Sequence, residues 1–374
     1  MAHVEKRADR KYRARYRTPG GQERSKTFTT KREAERFLAS VENDKATGRW
    51  TDPRLARVTF AEVARRADAA SIGRRATTRA RDETLMRTRV LPTFGGWQLD
   101  EITRGAVRAW VASLVDSGLA PATVRKCYQL LARVLDDALE DGLLAVTPCR
   151  GISLPAERRA EPVLLTPAHV DAISEAVPER YQALILTGAF TGLRWGELAG
   201  LRVSRVNMLR RRIDVAEILV EVNGTMSFGP PKTAKSRNGV SFPPFLADVL
   251  AAHMAQFPDP DSARGLVFTS DDGTPLRRSN FRRRVWLPAL DATDAPKEAT
   301  FHALRHATAS WLIDSGANPL QVAERLRHTR VQTTMSIYAH LFEGVDEHLD
   351  AILEERRVES VRPRPGRGML QNHG

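Results

Sequence analysis

His302-Ala303-Leu304-Arg305-His306 is the stretch that decides how this chain is read. Leu326-Arg327-His328 follows it, and ten residues beyond that histidine stands Tyr338, within Ile337-Tyr338-Ala339-His340. Upstream, Thr191-Gly192-Leu193-Arg194-Trp195-Gly196-Glu197-Leu198 sets an arginine behind a glycine. Between these runs, Pro231-Lys232-Thr233-Ala234-Lys235-Ser236 sets two lysines beside strand-like residues. Singly these are weak signals. An arginine in such a place is usually a helix-terminal ion-pair partner, and a tyrosine near a C-terminus usually packs in a core or at its rim. The order Arg, Lys, His-x-x-Arg, His, Tyr carries more information than any member of it.

Outward from that run, residues 160–355 read as a mixed domain, mostly α. Helical stretches flank a β region in which Ile213 to Val222, Thr225 to Phe228 and Gly239 to Phe242 are strand-like, separated by Gly and Pro. Gly151 to Pro162 has the composition of a linker. Before it, residues 57–150 read as a helical bundle. Thr59 and Glu62 form a capping box, and Pro92 with Gly95-Gly96 is expected to break the helical run after Leu91. A second helix starts near Pro121, sets Val124, Tyr128, Leu131, Leu135 and Leu139 on one side, and ends at Gly142. Residues 1–50 predict a small β-hairpin or sheet plus one helix. Alternation puts Lys11, Arg13, Arg15 and Arg17 on one face of a strand and Tyr12, Ala14 and Tyr16 on the other. Arg24 to Thr29 returns, and Thr30 with Glu33 caps a helix whose Ala34, Phe37, Leu38 and Val41 cover the apolar face. Residues 356–374, with Arg-Pro-Arg-Pro-Gly-Arg-Gly, read as a flexible basic tail. The fold class is therefore mainly α and multidomain, with small β elements.

Charge points to the partner. The formal net charge is +13 and the isoelectric point near 10.3, which favours a polyanion such as nucleic acid. Residues 1–36 hold twelve Lys/Arg against five Asp/Glu, a net +7. Arginine outnumbers lysine 49 to 9, a skew that fits GC-rich coding, so the total charge carries the argument. Cys127 and Cys149 are the two cysteines, in no metal or CxxC spacing, which fits a reducing cytosol. No stretch approaches the ~18 apolar residues of a membrane span, and the first residues lack a signal peptide's apolar core. The expected location is cytoplasmic, with no metal and no cofactor.

The ordered set resembles the tyrosine recombinase (phage integrase) family over nearly the whole chain. The resemblance implies an arm-type DNA-binding domain at 1–50, a core-binding domain at 57–150 and a catalytic domain at 160–355. It implies a site-specific DNA recombinase acting through Tyr338, integrating and excising a phage or mobile element. Its partner is double-stranded DNA at core and arm sites, bound by a homo-tetramer, with Leu341 to Ile352 docking on a neighbouring protomer. A directionality factor and a host DNA-bending protein are possible additional partners. One departure stands out: the family usually has glycine before the second histidine, and here Arg327 takes that place.

The residue types suit the chemistry the resemblance implies. Attack on a phosphodiester builds charge on its non-bridging oxygens, which Arg194 and Arg305 can clamp with forked, charge-assisted hydrogen bonds. Tyr338 brings a phenol with an ordinary pKa of about 10. It can attack and leave again, storing the bond energy in a 3′-phosphotyrosine without ATP. Lys232 is the expected general acid for the departing 5′ oxygen, with Lys235 its rival. His302 is expected to accept a proton near the tyrosine, His328 to hydrogen-bond the phosphate, and Glu197 to orient His302. The other tyrosines have plainer places: Tyr12 and Tyr16 in the hairpin, Tyr128 on a helix stripe, Tyr181 beside an apolar run. Two alternatives share parts of the pattern. A type IB topoisomerase uses the same chemistry but would lack the arm, and a catalytically silent DNA-binding regulator would be expected to have lost part of the set.

Overall fold

In the computed structural model, the alternation along Lys11 to Arg17 becomes the strand Tyr12–Arg17, the middle of three antiparallel strands. The structure describes residues 2–18, 21–46, 58–70, 73–157, 161–231, 238–261 and 263–339, together with Asp350, Leu353, Glu354 and Arg357. The chain divides into two compact units, residues 1–159 and 160–374.

In the first unit, Glu23–Phe28 returns beside Tyr12–Arg17. Ala14 and Tyr16 are buried against Ala34, Leu38 and Val41 of the helix Lys31–Ala46. The Glu33 carboxylate accepts from the Thr30 amide at 3.1 Å, and the Thr30 hydroxyl accepts from the Glu33 amide at 3.3 Å. Of the expected cationic face, Lys11 and Arg17 are exposed and Arg13 is half-buried. Arg15 is already engaged: it donates to Glu5 at 3.0 Å and Glu23 at 3.1 Å, which lie diagonal to it on the flanking strands. The edge strand His3–Lys6 lies outside the two strands that alternation predicts. Val4 is its one apolar residue, so it has no pattern of its own and forms by pairing.

A second core in this unit gathers Phe60, Phe94, Trp110, Leu131 and Leu135 from helices Phe60–Ala70, Leu91–Phe94, Arg104–Asp116 and Pro121–Glu140. The Thr59–Glu62 capping box forms here, with the Thr59 amide donating to the Glu62 carboxylate at 2.9 Å. The run passes Pro92 and ends at Gly95, the first of the expected glycine pair. Helix Ala76–Leu85 continues through a π-helical turn, Met86–Val90, into Leu91–Phe94, and the Leu91 amide reaches back to the Met86 carbonyl. Proline lacks an N–H and clashes with the carbonyl four residues back. The wider turn opens the helix just ahead of the ring, so the run survives. The second unit repeats the device, with Arg282–Trp286 as the π turn ahead of Pro288.

The second unit packs helices around a core that includes Leu184, Leu198, Leu250, Trp286 and Leu304. Its β region is two small sheets. Val206–Asn207, Arg212–Ile213 and Val240–Ser241 form one, and the hairpin Ile218–Val222 with Thr225–Gly229 forms the other. A smaller cluster of Ala309, Ile313, Val322, Leu326 and Tyr338 joins the last three described helices. Among the described residues no helix is long and apolar enough to cross a membrane. Burial along Pro121–Glu140 gives a direct check. Leu131 is fully buried, and Leu131→Ala is expected to destabilise the protein by about 2–5 kcal/mol. Leu139→Ala, at a half-buried position of the same helix, is expected to cost clearly less. Urea denaturation followed by circular dichroism measures both.

Candidate active site

Two helix ends and one helix start bring the site together. Helix Glu179–Thr191 stops at Gly192, whose φ of +67° lies in the left-handed region. A Cβ there would stand 2.8 Å from Leu326 Cδ2 and 3.3 Å from Thr308 Oγ1, so both conformation and space require glycine. The chain then turns into Trp195–Ala199 with Arg194 at its N-cap. Glu197 accepts from the Arg194 amide at 2.8 Å and from Arg194 Nη1 at 3.1 Å. The Arg194 side chain is 39% exposed, whereas Glu197 is buried.

Helix Ala303–Asp314 carries Arg305 and His306, with His302 at its N-cap. The Arg305 guanidinium is buried and donates to the carbonyls of Gly192 and Leu326. Burial, with Arg194 as the next cause, pulls its pKa down to about 9, so it stays charged at neutral pH.

Helix Pro319–Arg325 ends in a Schellman turn. The His328 amide reaches the Ala323 carbonyl at 2.8 Å, and the Arg327 amide reaches that of Glu324 at 2.9 Å. Such a turn needs a left-handed residue. Arg327 supplies it at φ +55°, which costs a non-glycine residue roughly 1–2 kcal/mol. That is the physical reason a glycine suits this position, and the arginine keeps the same backbone. Its side chain turns inward: Nη2 donates to Glu197 Oε2 at 2.6 Å and Nη1 to the Asn238 carbonyl at 3.4 Å. The turn delivers His328 into a buried place, Nδ1 at 2.8 Å from Thr334 Oγ1. Burial, followed by the charges of Arg305 and Arg194, pushes His328 down to about 3, so it is neutral.

Tyr338 closes the helix Val331–Tyr338 and is fully buried. Its hydroxyl lies 2.6 Å from His306 Nδ1. Burial lifts the phenol to about 12, with Arg305 opposing. Burial, then Arg305, holds His306 below the ordinary histidine range. His302 stacks edge-on against His306, ring centroids 4.9 Å apart. Although its edge is open to solvent, the packing around it, with His306 and the nearby guanidiniums, brings it down to about 4.

The structure thus brings Arg194, Glu197, Arg305, His328 and Tyr338 onto interlocked turns, with His302 one ring removed from the tyrosine. His306, rather than the expected His302, touches the Tyr338 hydroxyl. The signal was present: four residues after His302 on a helix, His306 shares its face. Glu197 was expected on His302, but among the described residues its hydrogen bonds go to Arg194 and Arg327. As the third residue of the helix that Arg194 caps, it is aimed back at the cap. Burial works to raise the Glu197 carboxyl, but Arg327 and Arg194 outweigh it and hold it below the usual carboxylate range. Lys232 and Lys235 lie outside the described residues, as does most of Leu341 to Ile352. Thr334, which holds His328 at 2.8 Å, belongs to no motif and is found only in the structure. Among the described residues, no three His, Cys, Asp or Glu side chains stand together as a metal site.

Comparisons with known proteins bear on the family and the fold. The phage integrase family model matches residues 164–344, the span that holds the whole ordered set. The integrase of Mycobacterium phage FRAT1 is 30% identical over 256 residues, covering 67% of this chain and 75% of its own. That of Mycobacterium phage L5 is 29% identical over 262 residues, 69% of each. Among solved structures, the Tn1549 transposon integrase in complex with a circular intermediate DNA matches at a TM-score of 0.70 and 19% identity, over 79% of this chain and 99% of that one. A lambda integrase dimer bound to a core site matches at 0.58 and 17%, over 91% of this chain and 94% of that one. The structural likenesses establish the fold, and the sequence relatives establish more: this chain belongs to the phage integrase family of site-specific tyrosine recombinases.

Proposed function

We propose that this recombinase integrates and excises a phage or mobile element by cutting and rejoining double-stranded DNA through a 3′-phosphotyrosine on Tyr338. The observation that carries the reading is the Tyr338 hydroxyl, 2.6 Å from His306 Nδ1, on a helix packed against the one that carries Arg305. In this mechanism the Tyr338 oxygen attacks phosphorus and passes its proton to His306. Arg194 and Arg305 stabilise the charge gathering on the non-bridging oxygens. With the Thr334 hydroxyl donating to Nδ1, His328 carries its proton on Nε2 and offers that N–H to the phosphate. The P–O5′ bond breaks as Lys232 protonates the departing oxygen. Reversal with a new 5′ hydroxyl rejoins the strand, so no external energy source is needed. His302 supports the ring of His306.

Residues 1–50 act as the arm-binding domain, presenting Lys11, Arg13 and Arg17, and residues 57–150 bind the core site. The active assembly is a homo-tetramer on DNA, steered by a directionality factor and a host bending protein and working in the cytoplasm. Its support is the arm-like sheet, the basic charge and the relatives crystallised on DNA as dimer and tetramer.

Three outcomes are expected. Tyr338→Phe, which removes one hydroxyl, keeps site-specific DNA binding but forms no covalent adduct on nicked suicide DNA in a denaturing gel. Adduct from this variant would mean another nucleophile. His306→Gln slows adduct formation by roughly 10²–10⁴, the usual worth of a positioned base. His306 must be neutral to take the proton, and its pKa is lowered. The wild-type rate should therefore hold as pH falls past about 6.5 and drop only in more acid solution. A drop centred at the ordinary histidine value would remove His306 from the role. Lys232→Ala cleaves ordinary DNA slowly but recovers on DNA with sulfur as the scissile bridging atom, because a thiolate leaves without a proton. Arg194→Ala does not recover, and equal rescue of the two would overturn the assignment of the acid.

A further inference from the structure

We propose that Arg327 is a positioning residue whose guanidinium holds the Glu197 carboxylate away from full pairing with Arg194, keeping Arg194 open for the phosphate. The proposal rests on the reading of Arg194 as a phosphate clamp. Arg327 stands where the backbone is left-handed, a conformation that glycine takes without strain. Its side chain is nonetheless buried in the site, at 3% exposure. A strained, buried arginine implies compensating contacts, and two stand among the described residues. Nη2 takes Glu197 Oε2 at 2.6 Å, and Nη1 takes the carbonyl of Asn238, the first described residue after the segment carrying Lys232.

Glu197 is the carboxylate that meets Arg194, and a carboxylate facing one guanidinium tends to a bidentate pair. Here the Arg194 guanidinium reaches Glu197 only through Nη1 to Oε1, at 3.1 Å, while Oε2 is shared between the Arg194 amide and Arg327. The second cation thus divides the carboxylate. Arg194 is oriented by one contact, and its side chain remains 39% exposed. Without Arg327, more of the charge of Glu197 would fall on Arg194, and the guanidinium would fold onto it. Arg327 touches none of the reacting atoms in this mechanism, so its effect passes through Arg194.

The test compares single-turnover adduct formation and DNA affinity for wild type, R327G, E197Q/R327G and R194A on nicked attachment-core DNA, with thermal melts alongside. R327G restores the strain-free backbone, so a merely tolerated arginine would give a variant as fast as wild type and at least as stable. The proposal expects R327G to lose roughly 10- to 100-fold in rate at saturating DNA, the scale of an ångström-sized misplacement, with affinity nearly unchanged. It further expects E197Q/R327G to be faster than R327G, because removing the carboxylate's charge releases Arg194. If R327G does not fold, R327M, which keeps the aliphatic stem, stands in for it in both comparisons. A wild-type rate in R327G, or a double variant slower than the single one, overturns the proposal. If R194A itself keeps the wild-type rate, the phosphate-clamp reading fails instead.

Discussion

The turns of the active site depend on one buried guanidinium. Arg305 donates to the carbonyls of Gly192 and Leu326, which stand at the C-terminal ends of helices Glu179–Thr191 and Pro319–Arg325. Helix ends leave carbonyls without intrahelical partners and carry partial negative charge. A cation set between two such ends satisfies both and is itself kept charged in a dry place. Because Arg194 follows the first turn and His328 the second, one side chain sets the register of both. Two of its five N–H groups are committed in this way. A defect in an Arg305 variant therefore includes the loss of these two contacts and cannot be read as a missing phosphate contact alone.

The same crowding of cations sets the protonation of everything around it. Burial for His306 and His328, and close packing for His302, do most to keep the three below their ordinary range, and the guanidiniums add to it. Neutral imidazoles can accept a proton from a phenol or offer an N–H, whereas imidazoliums could only donate. The phenol of Tyr338, lifted by burial, stays protonated at rest. Among the described residues, the carboxylate of Glu197 is shared by Arg194 and Arg327, so the described group is cationic overall and suited to a phosphodiester. Electrostatically, the site is arranged around a charge that the substrate brings.

Much of this was legible because the signals are local. The Thr30–Glu33 and Thr59–Glu62 boxes, the alternation through Tyr12–Arg17 and the long stripe of Pro121–Glu140 each need only a few neighbouring residues. The ordered motif named Arg194, Arg305, His328 and Tyr338 without any geometry. What escaped depended on partners distant in sequence. His3–Lys6 is a strand because Tyr12–Arg17 lies beside it. Glu197 and Arg327 are 130 residues apart, and no pattern joins them. His306 was visible as part of a motif, but which of two histidines on one helix face meets Tyr338 is settled by how Val331–Tyr338 packs against that helix. Pro92 was misjudged for a related reason: proline is read as a stop, and the turn that accommodates it has no sequence signature of its own.

That turn bears on which mutations the gene can tolerate. A π turn is the form in which a helix absorbs one inserted residue while keeping its faces aligned on either side. Ordinarily such an insertion is reversible, since losing the extra residue restores a regular helix. Here Pro92 and Pro288 follow their π turns by two residues, and a regular helix would drive each ring into the carbonyl four positions back. The insertion and the proline protect each other. At Met86–Val90 and Arg282–Trp286, deletion even of an exposed residue such as Arg87 or Arg283 should be disfavoured out of proportion to the contacts it removes. Each helix can return to the plain form only if its proline is lost first.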